Sequence, residues 1–319
     1  MNEGAATRTA VRANRISTLL EDRLAALAHG AIPTVAVPMA NNPEILGCIR
    51  VAVETGLARF ALIGPRDEVS RLAHDHGMDP ASVSLVQAVD PVSACARAAE
   101  MAARGEAQVL MKGLVQTSDF VRSILNRELG LAPAGGLLSH VALCDVDGFD
   151  RLFLVTDAAI TTYPSAAQKR LIVLNALACA TALGMETPRI AMVAPVEKVS
   201  DKVISTREAA EVVAEFAGDP RFKIDGPFGL DVAISAEAAA TKGIAGRVAG
   251  VADILVMPNI DAANVLYKAL TGFAHARTAG IVAGVAVPVV LTSRSDSEES
   301  KLNSLRFALA AATDLRITV

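Results

Sequence analysis

The chain has 319 residues, of which 52% are hydrophobic and only 3% aromatic, and its formal net charge is −4. This length favours about two domains with sizeable cores. The weak negative charge argues against a nucleic-acid-binding protein, because that function depends on cations that neutralise backbone phosphates. Small anionic substrates stay open, since they need only a few well-placed cations.

The N-terminal segment MNEGAATRTAVRANR lacks the apolar stretch of a secretory signal. No apolar run reaches the ~18 residues that a membrane span requires. The chain has four cysteines without paired spacing, which predicts reduced, mostly buried thiols and no bound metal: Cys48, Cys95, Cys144 and Cys179. We therefore expect a cytoplasmic protein that binds neither a membrane nor a metal.

Short apolar segments alternate with segments of helical periodicity along the chain. The clearest predicted helices are Arg15–His29, which stops at Gly30, and Ser165–Leu183, which stops at Gly184. Strands are predicted at Thr34–Val37, Phe60–Ile63, Val109–Met111, Leu152–Thr156, Ile190–Val193, Ile254–Met257 and Val287–Thr292. This alternation predicts an α/β fold with a mainly parallel sheet and helices on its faces.

Two glycine-containing stretches are candidate joints between domains: Gly130–Gly136 (GLAPAGG) and Ala279–Val285 (AGIVAGV). If the last strand rejoins the first sheet, the second domain is an insertion within the first. The predicted division is then a first α/β domain of residues 1–134 plus 284–319 and an inserted second α/β domain of residues 135–283.

The last predicted strand is followed by a hydroxyl and a guanidinium, Ser293 and Arg294, and then by the acidic helix start Asp296–Glu299. In open α/β sheets, ligands bind where strand C-termini and helix N-termini converge. The planar fork of arginine suits phosphate. This segment therefore predicts an anion-binding site.

Three further predicted strands are followed by polar or charged residues, and the first of them is Val109–Met111. Lys112 follows Val109–Met111, Thr117 or Ser118 is placed to cap the next helix, and Arg122 lies on its first turns. These positions suit a multiply charged substrate. Ordinary helix caps and solvated helix-end charges are the structural alternatives.

After Ile254–Met257, Asp261 is placed to cap a helix on which Asn264 and Lys268 share a face, because they are four residues apart. Asp157 directly follows the predicted strand Leu152–Thr156 and either belongs to the same site or only caps the next turn. Exposed helix positions are the alternative for Asn264 and Lys268.

Four ordered segments resemble the phosphate acetyltransferase/phosphate butyryltransferase family: Met111–Leu131 (MKGLVQTSDFVRSILNRELGL), Asp225–Ser235 (DGPFGLDVAIS), Pro258–Leu270 (PNIDAANVLYKAL) and Val289–Leu305. The resemblance runs from about Val109 to the C-terminus. The Met-Lys-Gly start and the Ser-Lys-Leu-Asn-Ser ending are more similar to the butyryltransferase branch.

The resemblance implies two α/β domains with an interdomain cleft, similar to the isocitrate/isopropylmalate dehydrogenase architecture, and a homodimer. It also implies the reversible transfer of a short-chain acyl group, acetyl to butyryl, between coenzyme A and inorganic phosphate. Acyl-CoA, coenzyme A and phosphate are then substrates, and no tightly bound cofactor is expected. The predicted mechanism is a ternary complex without a covalent acyl-enzyme.

Residue roles follow from the same resemblance. Ser293 matches a serine placed near the thiol, and Arg294 matches an arginine that polarises the reacting carbonyl or holds phosphate. Arg122 matches a phosphate-binding arginine of the first domain. Lys112, Thr117, Asn264 and Lys268 complete the predicted substrate-binding set.

One position departs from the family pattern. Seven residues after the serine, the acetyltransferase branch has an aspartate that is its proposed base, and this chain has Ser300. Ser300 thus takes the third predicted catalytic position, although a hydroxyl without a partner is a poor base. The identity of the base stays open.

Two other functions remain possible on these residues. A non-catalytic module that binds coenzyme A or acyl phosphate would keep the cleft and lack the base, and Ser300 is its best support. A decarboxylating dehydrogenase on the same architecture is the second alternative. That class needs carboxylate ligands for a divalent metal and a nicotinamide site, and the sequence shows no convincing cluster for either.

Overall fold

The computed structural model of the protein describes residues 14–27, 31–41, 43–78, 82–291 and 296–314. The strands are β1 (Thr34–Pro38), β2 (Arg59–Gly64), β3 (Val83–Gln87), β4 (Val109–Met111), β5 (Ser139–Asp145), β6 (Phe153–Thr156), β7 (Arg189–Val193), β8 (Lys223–Phe228), β9 (Ile254–Val256), β10 (Arg277–Ala283) and β11 (Val289–Val290). The helices are α1 (Arg15–Leu27), α2 (Pro43–Glu54), α3 (Arg66–Asp75), α4 (Pro91–Ala103), α5 (Thr117–Ile124), α6 (Ala166–Ala182), α7 (Ile204–Glu215), α8 (Leu230–Ile234), α9 (Ala236–Thr241), α10 (Ile260–Gly272) and α11 (Glu298–Asp314), with a 3₁₀ turn at Arg127–Leu129.

These strands form one sheet in the order β3-β2-β1-β4-β11-β10-β5-β6-β9-β7-β8. Of the ten strand pairings within the described ranges, seven are parallel, so the prediction of an α/β fold with a mainly parallel sheet is confirmed. The three antiparallel pairings all involve β5 or β10. The parallel strands on one side of this pair consequently run opposite to those on the other side.

The seven predicted strands are all present, with ends that differ by at most two residues in the described ranges. The last is shorter than predicted, and Thr292 lies outside those ranges. Strands β3, β5, β8 and β10 have no predicted counterpart. They carry Ser, His, Asp, Arg or Gly among their apolar residues, and this mixture hides the strand pattern. Most of the predicted joint Ala279–Val285 is strand β10 instead of a linker.

The two predicted helices are observed as α1 and α6. Residues 28–30, where the first was expected to end, lie outside the described ranges. Ser165 caps α6 by accepting a hydrogen bond from the backbone N–H of Gln168, and the Gln168 side chain accepts one in return from the Ser165 N–H. Among the helices of the described ranges, none is long and apolar enough to cross a bilayer.

Strand β11 lies parallel to β4, with Val289 opposite Leu110, so the last strand does rejoin the first part of the sheet. An inserted second domain requires this connection. The sheet itself is continuous from β3 to β8. The division at residues 134 and 284 stays a prediction.

Gly113, directly after β4, lies against the backbone of the β1 end. A methyl group at this position would overlap the carbonyl oxygen of Pro38 and lie 2.6 Å from that of Met39. Leu114 N–H donates to the same Met39 oxygen over 2.9 Å. The absence of a side chain therefore lets the segment after β4 pack onto the end of β1.

We expect Gly113→Ala to lower the free energy of unfolding by about 1–3 kcal/mol, because the methyl group must displace backbone atoms. Urea denaturation measures the effect. Gly272→Ala is the control, since no atom lies within 4 Å of the corresponding position at the end of α10. It should leave stability unchanged or raise it by up to about 1 kcal/mol. Equal losses in both variants would contradict the assigned overlap.

Candidate active site

The hydrophobic core is continuous on one face of the sheet and interrupted on the other. Alternate strand residues, from Val37 in β1 to Met192 in β7, share one cluster that also includes α1, α6 and α11. On the opposite face, the β1, β2 and β4 side forms a second cluster and the β6, β7 and β9 side forms a third. The core on this second face is therefore divided between the two groups of strands.

Polar side chains occupy the interval between these two clusters. Leu138, directly before β5, belongs to the second cluster and Ala142 of β5 to the third, while His140 between them belongs to neither. On β10, Val282 belongs to the second cluster, whereas Gly280 and Thr278 belong to neither. We call His140, Tyr267, Thr278 and Gly280 the polar strip.

The strip is held together by specific contacts. The rings of His140 and Tyr267 meet edge to face with their centroids 6.0 Å apart. The Tyr267 hydroxyl and Thr278 Oγ1 are 3.1 Å apart and hydrogen-bonded. Gly280 makes room for the imidazole, because a methyl group there would lie 2.7 Å from His140 Nε2. The imidazole thus lies directly against the backbone of β10.

Helix α10 brings Asn264 and Lys268 to the edge of the strip, on one face as predicted. Asn264 Nδ2 donates to the carbonyl oxygen of Ala158 over 3.0 Å, which ties α10 to the segment after β6. Lys268 Nζ lies 5.7 Å from the centre of the Tyr267 ring. Both residues are exposed and accessible to a ligand.

The cap of α10 differs from the prediction. Asn259, not Asp261, precedes the helix, and its side chain accepts a hydrogen bond from the Ala262 N–H over 3.0 Å. Asp261 already lies in the first turn, where its carboxylate accepts a hydrogen bond from the Tyr163 hydroxyl over 2.6 Å. The predicted cap Asp261 is therefore wrong by two residues, and Asn259 takes that role.

Asp157 has the plain structural role that the sequence left open. It is 4% exposed, and its two carboxylate oxygens accept hydrogen bonds from three backbone N–H groups, those of Ala159, Ile160 and Thr161, over 2.8–3.0 Å. These contacts shape the turn that carries Ala158 to Asn264. Asp157 therefore stabilises the turn that Asn264 contacts.

Ser300 lies in the first turn of α11. Its N–H donates to Ser297 Oγ over 3.1 Å, the contact of a helix cap. Ser304 Oγ donates to the Ser300 carbonyl over 2.7 Å and accepts from the Gly280 N–H over 2.9 Å. This chain of contacts places Ser300 close to the polar strip. Ser293 and Arg294 lie outside the described residues, which end at Leu291 and resume at Asp296.

Lys112, Thr117 and Arg122 belong to the other side of the interval. Lys112 N–H donates to the Val290 carbonyl over 2.9 Å, so the residue lies beside the end of β11. Neither Thr117 nor Ser118 caps α5, because the residue that precedes the helix is Gln116. Arg122 is 75% exposed and its guanidinium donates to Asp119 over 3.0 Å. No described contact joins these three residues to the polar strip.

A pocket of about 820 Å³ lies at the carboxyl ends of β7, β8 and β9. Its walls include Val193, Pro195 and Leu230, and Asn259 and Glu208 add polar groups. Glu208 also pairs with Lys169, which is 2% exposed, over 2.6 Å. The sequence gives little sign of this pocket. Pro195 and Pro258, each shortly after an apolar strand, are its only visible signal.

The described residues contain no group of histidines, cysteines and carboxylates that could hold a metal ion. The four cysteines are free and buried, as predicted. Burial raises the pKa of Cys48, Cys144 and Cys179 to about 12. These thiols stay protonated near neutral pH and are poor nucleophiles.

This chain is similar to known proteins in sequence and in overall structure. The family described as "Phosphate acetyl/butaryl transferase" matches residues 72–311. The chain is 44% identical over 286 residues to the phosphate butyryltransferase of Clostridium beijerinckii, which covers 88% of this chain and 94% of that relative. It is 42% identical over 281 residues to the phosphate butyryltransferase of Clostridium acetobutylicum, with 87% and 93% covered.

A branched-chain phosphotransacylase from Enterococcus faecalis has a similar structure. Its TM-score is 0.79 at 36% sequence identity, and the match covers 88% of this chain and 99% of that one. A phosphotransacetylase from Streptococcus pyogenes has a TM-score of 0.81 at 21% identity, which shows a shared fold.

The assigned cap of α10 can be tested through stability. We expect Asn259→Ala to lower the free energy of unfolding by about 1 kcal/mol, because one N–H of the first turn loses its partner. Asn259→Asp should retain most of the stability, since a carboxylate caps equally well. Thermal and urea unfolding measure both. A similar loss in Asp261→Asn, which is not the cap, would refute the assignment.

Proposed function

Since this chain belongs to the phosphate acetyl/butyryltransferase family and is thus an acyltransferase, we propose that it transfers a short-chain acyl group reversibly between coenzyme A and inorganic phosphate. The observation that carries this proposal is the similarity to phosphate butyryltransferases over nearly their whole length. The same similarity favours butyryl or a related short chain over acetyl as the preferred acyl group.

The chemistry joins two anionic partners. The thiol of coenzyme A loses its proton, the sulfur attacks the carbonyl carbon of the acyl phosphate, and phosphate leaves. Negative charge develops on the carbonyl oxygen, and a guanidinium or hydroxyl aimed at it lowers the barrier. Holding both reactants in one cleft removes much of the entropic cost of their encounter.

We assign roles in this reaction to the residues that the resemblance identified. Arg294 polarises the carbonyl, and Ser293 lies near the thiol. Lys112, Thr117 and Arg122 bind phosphate from one side of the interval between the two core clusters, and Asn264 and Lys268 bind from the other. The exposed positions of Arg122, Asn264 and Lys268 support this assignment. In this assignment Ser300 is close to the reacting groups. Its hydroxyl lies 3.2 Å from that of Ser297 and is hydrogen-bonded to it.

The two-domain architecture with an interdomain cleft, similar to isocitrate/isopropylmalate dehydrogenases, belongs to the same proposal. It is supported by the divided core on one face and by the return of β11 to β4. A homodimer and the lack of a tightly bound cofactor complete it as predictions from the resemblance, and a cytoplasmic location stays the prediction drawn from the lack of long apolar segments in the sequence.

The activity is tested by the release of free thiol from acetyl-CoA, propionyl-CoA and butyryl-CoA, with and without inorganic phosphate. We expect phosphate-dependent release, fastest with butyryl-CoA. Discrimination between neighbouring chain lengths should be modest, because one methylene in an apolar pocket is worth about 1–3 kcal/mol. Stabilisation by coenzyme A without any release would favour the binding-module alternative. Dependence on a nicotinamide nucleotide or sensitivity to a chelator would favour the dehydrogenase alternative.

The two arginines should fail in different ways. We expect Arg294→Ala to lower kcat about 100-fold, because the lost contact forms in the transition state. Arg122→Ala should mainly raise KM for the phosphate-bearing substrate, since it removes binding shared by ground and transition states. Steady-state kinetics separate the two. Arg104→Ala is the control, because Arg104, just after the end of α4, is exposed and pairs with Glu100 and Glu106. Unchanged turnover in Arg294→Ala would refute its role.

A further inference from the structure

His140 is a buried titratable residue to which neither the sequence nor the family resemblance assigns a role. It is 7% exposed, and its Nδ1 has no hydrogen-bond partner in the part of the chain that the structure describes. Buried polar atoms in proteins are nearly always paired, so an unpaired one requires an explanation. This nitrogen lies buried in the interval between the two core clusters and has a hydrogen-bonding position to offer. We therefore expect it to bind a ligand or to accept a transferred proton.

The surroundings of His140 are those of the proposed reaction. Gly280 leaves the imidazole against β10, and the Gly280 N–H is bound by Ser304, which also binds the Ser300 carbonyl. Tyr267 of α10 lies against the ring, and the next residue on that helix is Lys268. His140 therefore lies where the start of α11 and the ligand-accessible face of α10 meet.

The charges around His140 come from three elements. Asp157 after β6 and Asp296 before α11 favour the imidazolium, while Lys268 on α10 opposes it. Burial opposes it more strongly than any of these, and it lowers the pKa of His140 below its ordinary value of 6.5. The imidazole is neutral near pH 7 and has a lone pair for a proton. The two carboxylates would stabilise the imidazolium that forms when the proton arrives.

The other groups in contact with the strip are less suited to accept a proton. Both oxygens of Asp157 are taken by backbone N–H groups. Burial raises the pKa of Tyr267 to about 12, so it is not a phenolate near neutral pH. Ser300 is a hydroxyl beside a second hydroxyl. Among the described residues near His140, Asp296 is a competing acceptor, and it can be tested separately.

We propose that His140 is the catalytic base that accepts the proton of the coenzyme A thiol. This inference rests on the proposed function. The S–H bond breaks and its proton passes to an imidazole nitrogen, while the sulfur forms a bond to the acyl carbon. The bond between the acyl carbon and the phosphate oxygen breaks, and phosphate leaves with the electron pair. In the reverse direction the imidazolium returns its proton to the departing thiolate.

The test compares His140→Asn with the wild-type enzyme across pH in both directions, by thiol release from acyl-CoA with phosphate and by thiol consumption from coenzyme A with acyl phosphate. In the direction that consumes coenzyme A the base must be neutral, so wild-type kcat/KM should be constant at high pH and fall as the pH drops through a midpoint below 6.5. In the thiol-releasing direction the imidazolium is the required form, so kcat/KM should fall as the pH rises through its midpoint. His140→Asn should lower kcat by roughly 10²–10⁴-fold. It should leave KM for coenzyme A nearly unchanged and abolish the acidic limb.

Two control variants sharpen the result. His74→Asn removes an imidazole that is 89% exposed on α3 and should keep the wild-type profile. Asp296→Asn should alter the midpoint of the acidic limb and retain the limb itself. Loss of the limb in Asp296→Asn, with the limb retained in His140→Asn, would overturn the proposal and assign the base to Asp296.

The folding of each variant is checked by measuring how far coenzyme A raises its melting temperature. If His140→Asn does not fold, His140→Gln replaces it. If neither variant folds, the pH profile of the wild-type enzyme tests the proposal. The ionisation of histidine has a large enthalpy, and that of a carboxylate has almost none. If His140 is the base, the midpoint of the acidic limb must therefore shift with temperature. A fixed limb overturns the proposal. An inactive wild type overturns the proposed function and this role with it, whereas an active His140 variant overturns only this role.

Discussion

The antiparallel pairing of β5 with β10 is the constraint on which the rest of the molecule depends. It extends over seven residue pairs and joins two groups of parallel strands that run in opposite directions. A single residue pair, Val282 with Val289, then connects β10 to β11. Because β11 is so short, the N–H of Gly280 has no strand partner on that side, and Ser304 of α11 supplies one.

This arrangement explains why one face of the sheet is a continuous core and the other is divided. On the continuous face, α11 packs over β4, β10 and β11 and contributes Leu305, Phe307 and Leu309 to the core. On the opposite face, within the described ranges, α4 and α5 cover one group of strands and α8 and α10 cover the other. The residues that remain in the interval are polar, and the proposed chemistry takes place there.

Much of this fold could be predicted from apolar segments and their boundaries. Strands such as Val109–Met111 are buried on both faces, so they are apolar throughout and easily recognised. Strands β5 and β10 are also mostly buried but carry His140, Asp145 and Arg277. These polar residues lie in the interval or form ion pairs, as Asp145 does with Arg15 of α1 and Arg277 does with Asp147. Such contacts depend on the tertiary structure and leave no periodic signal.

The site shows the same division. The shared face of Asn264 and Lys268 follows from helix geometry and was predictable. The cap of α10 was not, because Asn259 and Asp261 are both suitable and only the backbone conformation selects one. The sequence offered no reason to assign His140 a role, since it has no neighbouring histidine at metal-ligand spacing. Its significance comes from an unpaired nitrogen and from Gly280, which is 140 positions away in the chain.

The contact between Gly280 and His140 also constrains how this sequence can evolve. Any side chain at position 280 would occupy the space of the imidazole, and the loss of that ring would leave a void beside β10. Neither position can change freely while the other stays as it is, so the two should vary together among descendants of this chain. A drift toward a different residue at 140 would have to pass through an intermediate that is either crowded or underpacked.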